Sequence, residues 1–237
     1  MNKLLFFSFF LSHLCASNPL IEDQKNMYSQ ETLVLLGSSL ITAGIMANSP
    51  IDQSISDYYE MHIRNDQTNL FAKETKKFGN KRPLLAALGA MSAVGYAYSS
   101  KSKDHFLYTY GTNTLRSIIV GLAPLIAGQN LLGAHRPRDY KGSGWVPFEN
   151  DHGVSGHAFM GAIPFITAAN LTSYPPLKIA LYITSTFTGF SRLNDYMHFP
   201  SQVLLGWVLG FASCEAVAKS NSLVVITPNS ISLGATF

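Results

Sequence analysis

Ser191-Arg192-Leu193-Asn194-Asp195-Tyr196-Met197-His198-Phe199-Pro200-Ser201-Gln202 joins two apolar stretches, residues 177–190 and 203–218. It carries an arginine, a histidine six positions on, and a glutamine one helical turn after that histidine. Two shorter clusters upstream are placed in the same way. Arg136-Pro137 follows the apolar stretch 115–134, and Val154-Ser155-Gly156-His157 precedes the stretch 158–171. Two further apolar stretches, 33–47 and 84–98, lie nearer the N-terminus. Runs of this length punctuated by prolines (Pro50, Pro83, Pro175-Pro176) read as helices. The chain is therefore expected to be all-α, a bundle of about six helices. Helices that alternate in direction bring all three clusters to one end of such a bundle.

Composition bounds what the bundle can be. At 237 residues the chain is one domain by length. Only 13% of its residues are charged, where soluble domains carry about a quarter. The apolar stretches are rich in Gly, Ala and Ser, which suits close helix packing in a bilayer. The same pattern also suits the buried helices of an exported soluble bundle, and the mean hydropathy of +0.14 fits either. A net charge of +3 with no long basic run excludes a nucleic-acid partner. Nothing in the sequence sets an oligomeric state.

The ends of the chain read differently from its middle. Lys3, an apolar run from Leu4 to Cys15, and the small residues Ala16 and Ser17 have the layout of a secretory signal peptide over residues 1–17. Residues 18–237 then form a single domain, its motif-bearing core at about 115–218. Without the leader only Cys214 remains, so no intramolecular disulfide is possible. Residues 50–82 mix acidic and basic side chains and read as solvated amphipathic helix. Residues 222–237 alternate around Pro228-Asn229-Ser230, which is the signature of a β-hairpin.

The three clusters hold what is needed to bind a tetrahedral oxyanion and attack it. Arginine presents a planar fork of donors that matches phosphate oxygens. Backbone N–H groups at a helix start add donors and a favourable dipole. Of two histidines, one can act as nucleophile and the other as acid.

The spacing over residues 129–202 resembles the type 2 phosphatidic acid phosphatases, the PAP2 superfamily shared with bacterial acid phosphatases and vanadium haloperoxidases. That pattern is Lys, six residues, Arg-Pro; then Pro-Ser-Gly-His; then Ser-Arg, five residues, His, three residues, Asp. Here Gln129 stands for the Lys, Val154 for the Pro, and Gln202 for the Asp. The resemblance implies that His198 is the nucleophile, forming a phosphohistidine, and that His157 is the acid for the leaving oxygen. It implies phosphate contacts from Arg136, Arg192, Ser155 and Gly156, with Gln129 in the place of a third cation. No metal and no cofactor is implied.

Gln202 can still accept a ring N–H but adds no negative charge, a difference of about 1–2 kcal/mol. Asp195, three residues before His198, is a second candidate for that carboxylate; Arg138 and Lys141 are candidates to compensate for Gln129. The expected substrate is a lipid phosphate monoester or diphosphate. The expected location is a bacterial inner membrane with the site on the periplasmic side. An exported soluble acid phosphatase in the periplasm and a catalytically silent phosphate-binding membrane protein are the alternatives.

Overall fold

The computed structural model describes residues 19–99, 106–222, 224–227 and 230–233; the leader expected over residues 1–17 lies outside them. The helices are α1 Pro19–Met27, α2 Gln30–Ala47, α3 Pro50–His62, α4 Asp66–Thr75, α5 Lys81–Ser99, α6 Phe106–Leu132, α7 Gly156–Leu171, α8 Pro175–Ser185, α9 Phe187–Asn194 and α10 Pro200–Ser222. Short 3-10 turns occupy Lys76–Gly79 and Pro137–Asp139. Polar residues start these helices by satisfying their first N–H groups. Ser29 accepts from Thr32, Ser49 precedes the Pro50 that opens α3, and Asn65 and Thr68 form a reciprocal box at α4.

The count exceeds the six expected for physical reasons. Residues 50–82 fold into α3, α4 and a 3-10 turn, and α1 precedes the first apolar stretch. The stretch 177–190 breaks at Thr186, whose N–H and hydroxyl both bond the Ile183 carbonyl and so end α8. The C-terminal β-hairpin expected over residues 222–237 gains no support as part of this fold, which is helical. The four-residue segments Val224–Thr227 and Ser230–Leu233 pair only with each other, and an isolated ladder of that size is marginal.

Helix α7 runs through the centre. Phe159, Ala162, Ile163 and Ile166 on it are fully buried against α6 and α10. Glycines set the approach. A Cβ on Gly206 of α10 would lie 2.3 Å from the Ser155 carbonyl oxygen, and one on Gly121 of α6 would lie 2.5 Å from the Phe159 ring. The starts of α7 and α10 are thereby held in backbone contact.

Buried charge pins both ends of the bundle. Asp23 of α1 takes two bonds from Arg116 of α6, at 2.8 and 2.7 Å, and another from the Ser220 hydroxyl at the close of α10. Asp23 is wholly buried, so only this pairing makes its charge tolerable there. At the opposite end Asp52 of α3 accepts the Ser201 N–H at 3.0 Å and the Ser201 hydroxyl. It places a carboxylate on the positive start of α10.

Among the described residues, three helices are long and apolar enough to cross a membrane: α2, α6 and α10. They are not equally covered by protein, with 22%, 33% and 67% of their apolar windows buried. Leu33, Val34, Ile41 and Ile45 of α2 and Ile119, Leu122, Ile126 and Leu131 of α6 are exposed. Such contiguous apolar surface marks a face that meets lipid or protein rather than water. At 1.5 Å per residue α2 measures about 27 Å, close to a hydrocarbon core.

Gly206→Ala is expected to force α7 and α10 apart and cost about 1–3 kcal/mol, seen as a lower thermal midpoint. Gly89→Ala in α5, where a Cβ meets nothing within 4 Å, is expected to hold or raise it.

Candidate active site

Four chain ends meet beside Asp52: the close of α6, the start of α7, the close of α9 and the start of α10. The close of α9 fixes Arg192 against His198. Tyr196 adopts a left-handed conformation (φ 55°), its N–H bonds the Leu193 carbonyl, and the Met197 N–H bonds that of Arg192. This is a Schellman ending in which a tyrosine occupies the position usually given to glycine. The His198 N–H also reaches the Arg192 carbonyl, at 3.3 Å.

Gln202 then orients the imidazole. Its Oε1 lies 2.7 Å from His198 Nδ1 and accepts the Phe199 N–H at 3.2 Å, while its Nε2 donates to the His135 carbonyl at 2.9 Å. The two backbone partners fix which end of the amide is oxygen. His198 Nδ1 must therefore carry the proton, which leaves Nε2 with a free lone pair. The carboxylate candidate Asp195 is elsewhere. It bonds Lys76 Nζ at 2.9 Å and lies 3.7 Å from Arg192 Nη1.

Both histidines are poor bases. Burial, opposed by the Gln202 bond and reinforced by Arg192, Arg136 and His152, pushes His198 down to about 3. His157, half-buried in the first turn of α7, is pushed down to about 4 by burial and by Arg192, Lys81 and Arg136, against Asp195. Arg136 and Arg192 are each lowered first by burial, and Arg136 further lowers Arg192. Each has a buried Nε with no acceptor. Two guanidiniums held close with unfilled donors are a setting for the oxygens of an anion.

The remaining sequence candidates hold the frame. Ser155 is fully buried; its Oγ accepts the Ala158 N–H and its N–H donates to the Gln202 carbonyl at 2.9 Å, joining the starts of α7 and α10. Gly156 offers its N–H in the first turn of α7, where a Cβ would lie 3.1 Å from Gln129 Nε2. Gln129 turns its amide N–H to the Val154 carbonyl at 3.1 Å, so it braces the 153–156 loop. Arg138 is exposed with its charge felt at Arg136 and Arg192, and Lys141 is exposed.

Two groups near the histidines had no role in the sequence reading. His152 Nδ1 lies 2.8 Å from Asp151 Oδ1, and the charges of this pair are felt at His198 and Arg136 respectively. Lys81 acts on His157 from α5. The unusual Asp151-His152 sequence signalled the first; no local pattern signals the second. Among the described residues no three His, Cys, Asp or Glu side chains converge to hold a metal ion.

Comparison with known proteins gives one match: residues 130–222 fit the family model of the PAP2 superfamily. No curated protein and no solved structure matches.

The histidines make stability depend on pH. Below pH 6.5 the unfolded chain protonates both, while the folded chain resists until about pH 4 at His157 and about pH 3 at His198. Stability is therefore expected to fall as pH drops from 6.5, by at most about 1.4 kcal/mol per pH unit for each group. Thermal unfolding in detergent at pH 7, 6 and 5 measures the slope, and His157→Asn/His198→Asn should flatten it.

Proposed function

We propose, from the match of residues 130–222 to the PAP2 superfamily model, that the protein is a phosphatase that hydrolyses lipid phosphate monoesters or diphosphates through a phosphohistidine. The observation that carries the reading is the His198 imidazole, held by Gln202 with Nε2 free, beside the buried Arg192 and the half-buried Arg136, whose buried Nε donors have no protein acceptor.

In the proposed reaction His198 Nε2 attacks phosphorus, and the bond from phosphorus to the leaving oxygen breaks with its electron pair on that oxygen. Arg136 and Arg192 offset charge on the non-bridging oxygens. His157 gives its proton to the leaving oxygen, then takes one from the water that attacks the phosphohistidine. The P–N bond breaks and phosphate departs. His157, at about 4, is neutral in the free site at pH 7, and a bound phosphate dianion favours its protonation. The first step makes His198 an imidazolium, which the Gln202 amide stabilises by a hydrogen bond and no charge.

The exposed apolar faces of α2 and α6, which suit a domain set in a bilayer, support a lipid substrate. With α2, α6 and α10 across the membrane, the start of α2 shares the face opposite the site with the end of α10. A periplasmic-facing site then requires Pro19, at the start of α1, on the inner side, whereas a leader cleaved after Ser17 requires it on the outer side. For a spanning domain these two expectations exclude each other. We propose the outward-facing site, with the start of α1 inside. Tyr140, 88% exposed, gives the test: Tyr140→Cys should react with an impermeant maleimide in intact cells, and protection there would put the site inside.

Phosphate release by purified protein on phosphatidate, a polyprenyl diphosphate, lipid A and p-nitrophenyl phosphate tests the chemistry. His198→Ala should abolish release on every substrate that the wild type accepts, and full activity in that variant would sink the proposal. Gln202→Asp adds the missing charge but gives up the bond to the His135 carbonyl, so kcat is expected to rise by at most about five- to thirtyfold, the counterpart of about 1–2 kcal/mol.

A further inference from the structure

We propose that Lys81 is a substrate contact of this site, placed on the leaving-group side, where it binds the inner phosphate of a diphosphate ester and so favours diphosphates over monophosphates. The inference rests on the phosphatase reading and narrows it.

The turn that leads into α5 is built against the acid. Gly79 approaches α7 and α9 so closely that a Cβ on it would lie 2.9 Å from His157 Cδ2, 3.0 Å from the His157 carbonyl and 2.9 Å from Thr188 Cγ2. Thr188 Oγ1 donates to the Thr75 carbonyl at 3.1 Å, Lys76 is bonded to Asp195, and the Phe78 ring meets Phe165 edge-on. Lys81 stands two residues beyond this seated glycine. Its neighbours Lys76 and Lys77 are matched by Asp195 and Glu74. Lys81 is exposed and makes no ion pair or hydrogen bond among the described residues. Of the charges that act on His157, its own ranks after Arg192 and before Arg136.

His157 faces the leaving oxygen, so a cation beside His157 faces the leaving group. When His198 attacks the terminal phosphorus of a diphosphate ester, the bridging P–O bond breaks and a phosphate monoester departs with the electron pair. Lys81 is positioned to offset the charge growing on that monoester. An alkoxide leaving from a monophosphate has no such group to contact. A departing phosphate also needs less help from an acid than an alkoxide does, which suits a His157 that is seldom protonated at neutral pH.

The test uses Lys81→Gln, Lys81→Arg and, as control, Lys77→Gln, on the diphosphate and monophosphate of one prenyl alcohol. Lys81→Gln should lower kcat/KM for the diphosphate about tenfold or more and for the monophosphate far less. Lys81→Arg should restore most of it, and Lys77→Gln should change neither. Removing the lysine should also move the His157 limb of the pH profile upward, since Arg192, Arg136 and Asp195 then act on His157 alone. Equal losses on both substrates, or none, would overturn the inference. If the wild type hydrolyses neither, the phosphatase reading fails by itself. Calorimetric binding of inorganic pyrophosphate and orthophosphate then decides Lys81: selective loss of pyrophosphate binding in Lys81→Gln supports it, and unchanged or absent binding overturns it.

Discussion

One side-chain amide holds the candidate site together. Gln202 orients His198, takes the Phe199 N–H, and reaches across to the carbonyl that precedes Arg136. Its own backbone carbonyl receives the Ser155 N–H. The last piece of α6, the start of α7 and the start of α10 are therefore referenced to a single residue. An aspartate, one methylene shorter, cannot span from the imidazole to the His135 carbonyl in the same way. The exchange of a charge for a longer neutral group alters the acid–base chemistry and adds a mechanical link between Arg136 and His198.

The electrostatics follow from this geometry. Two arginines and two neutral histidines make up the candidate site, and the Asp195 carboxylate is shared between Lys76 and Arg192. Burial first, and the positive charges of the arginines second, keep both histidines neutral. Asp52 belongs to the frame: through Ser201 it fixes the first turn of α10 and hence the residue that orients His198.

Much of this was legible in the sequence. Apolar runs of 14 to 20 residues placed six helices, and the position of each cluster at the edge of a run placed the site at one end. The break at Thr186 was not read, although Ile183-Thr-Ser-Thr-Phe-Thr-Gly189 is a run of weak helix formers; its apolar content reads as one stretch, and a local i to i−3 hydrogen bond makes the interruption. Gln129 read as a weakened phosphate ligand by its spacing, yet its amide is drawn to the Val154 carbonyl, a partner 25 positions away. Asp195 read as a partner for His198, and Lys76, 119 positions upstream, takes it instead. Lys81 escaped for the same reason. Contacts between distant segments leave no periodic trace, whereas helix ends do.

The Asp23 clamp bears on how the chain comes together during synthesis. Asp23 emerges first, Arg116 follows, and Ser220 arrives only when the chain is nearly finished. The carboxylate must wait for its cation, and α10, which carries Gln202 on its first turn, is locked only as its last turn appears. The candidate site is thus among the last things the chain can assemble, and it depends on a residue more than a hundred positions before the family-like segment begins. That segment is not a unit that can be cut out: separated from α1, it would bring Arg116 to the interior without its carboxylate, or lose the helix that carries Gln129.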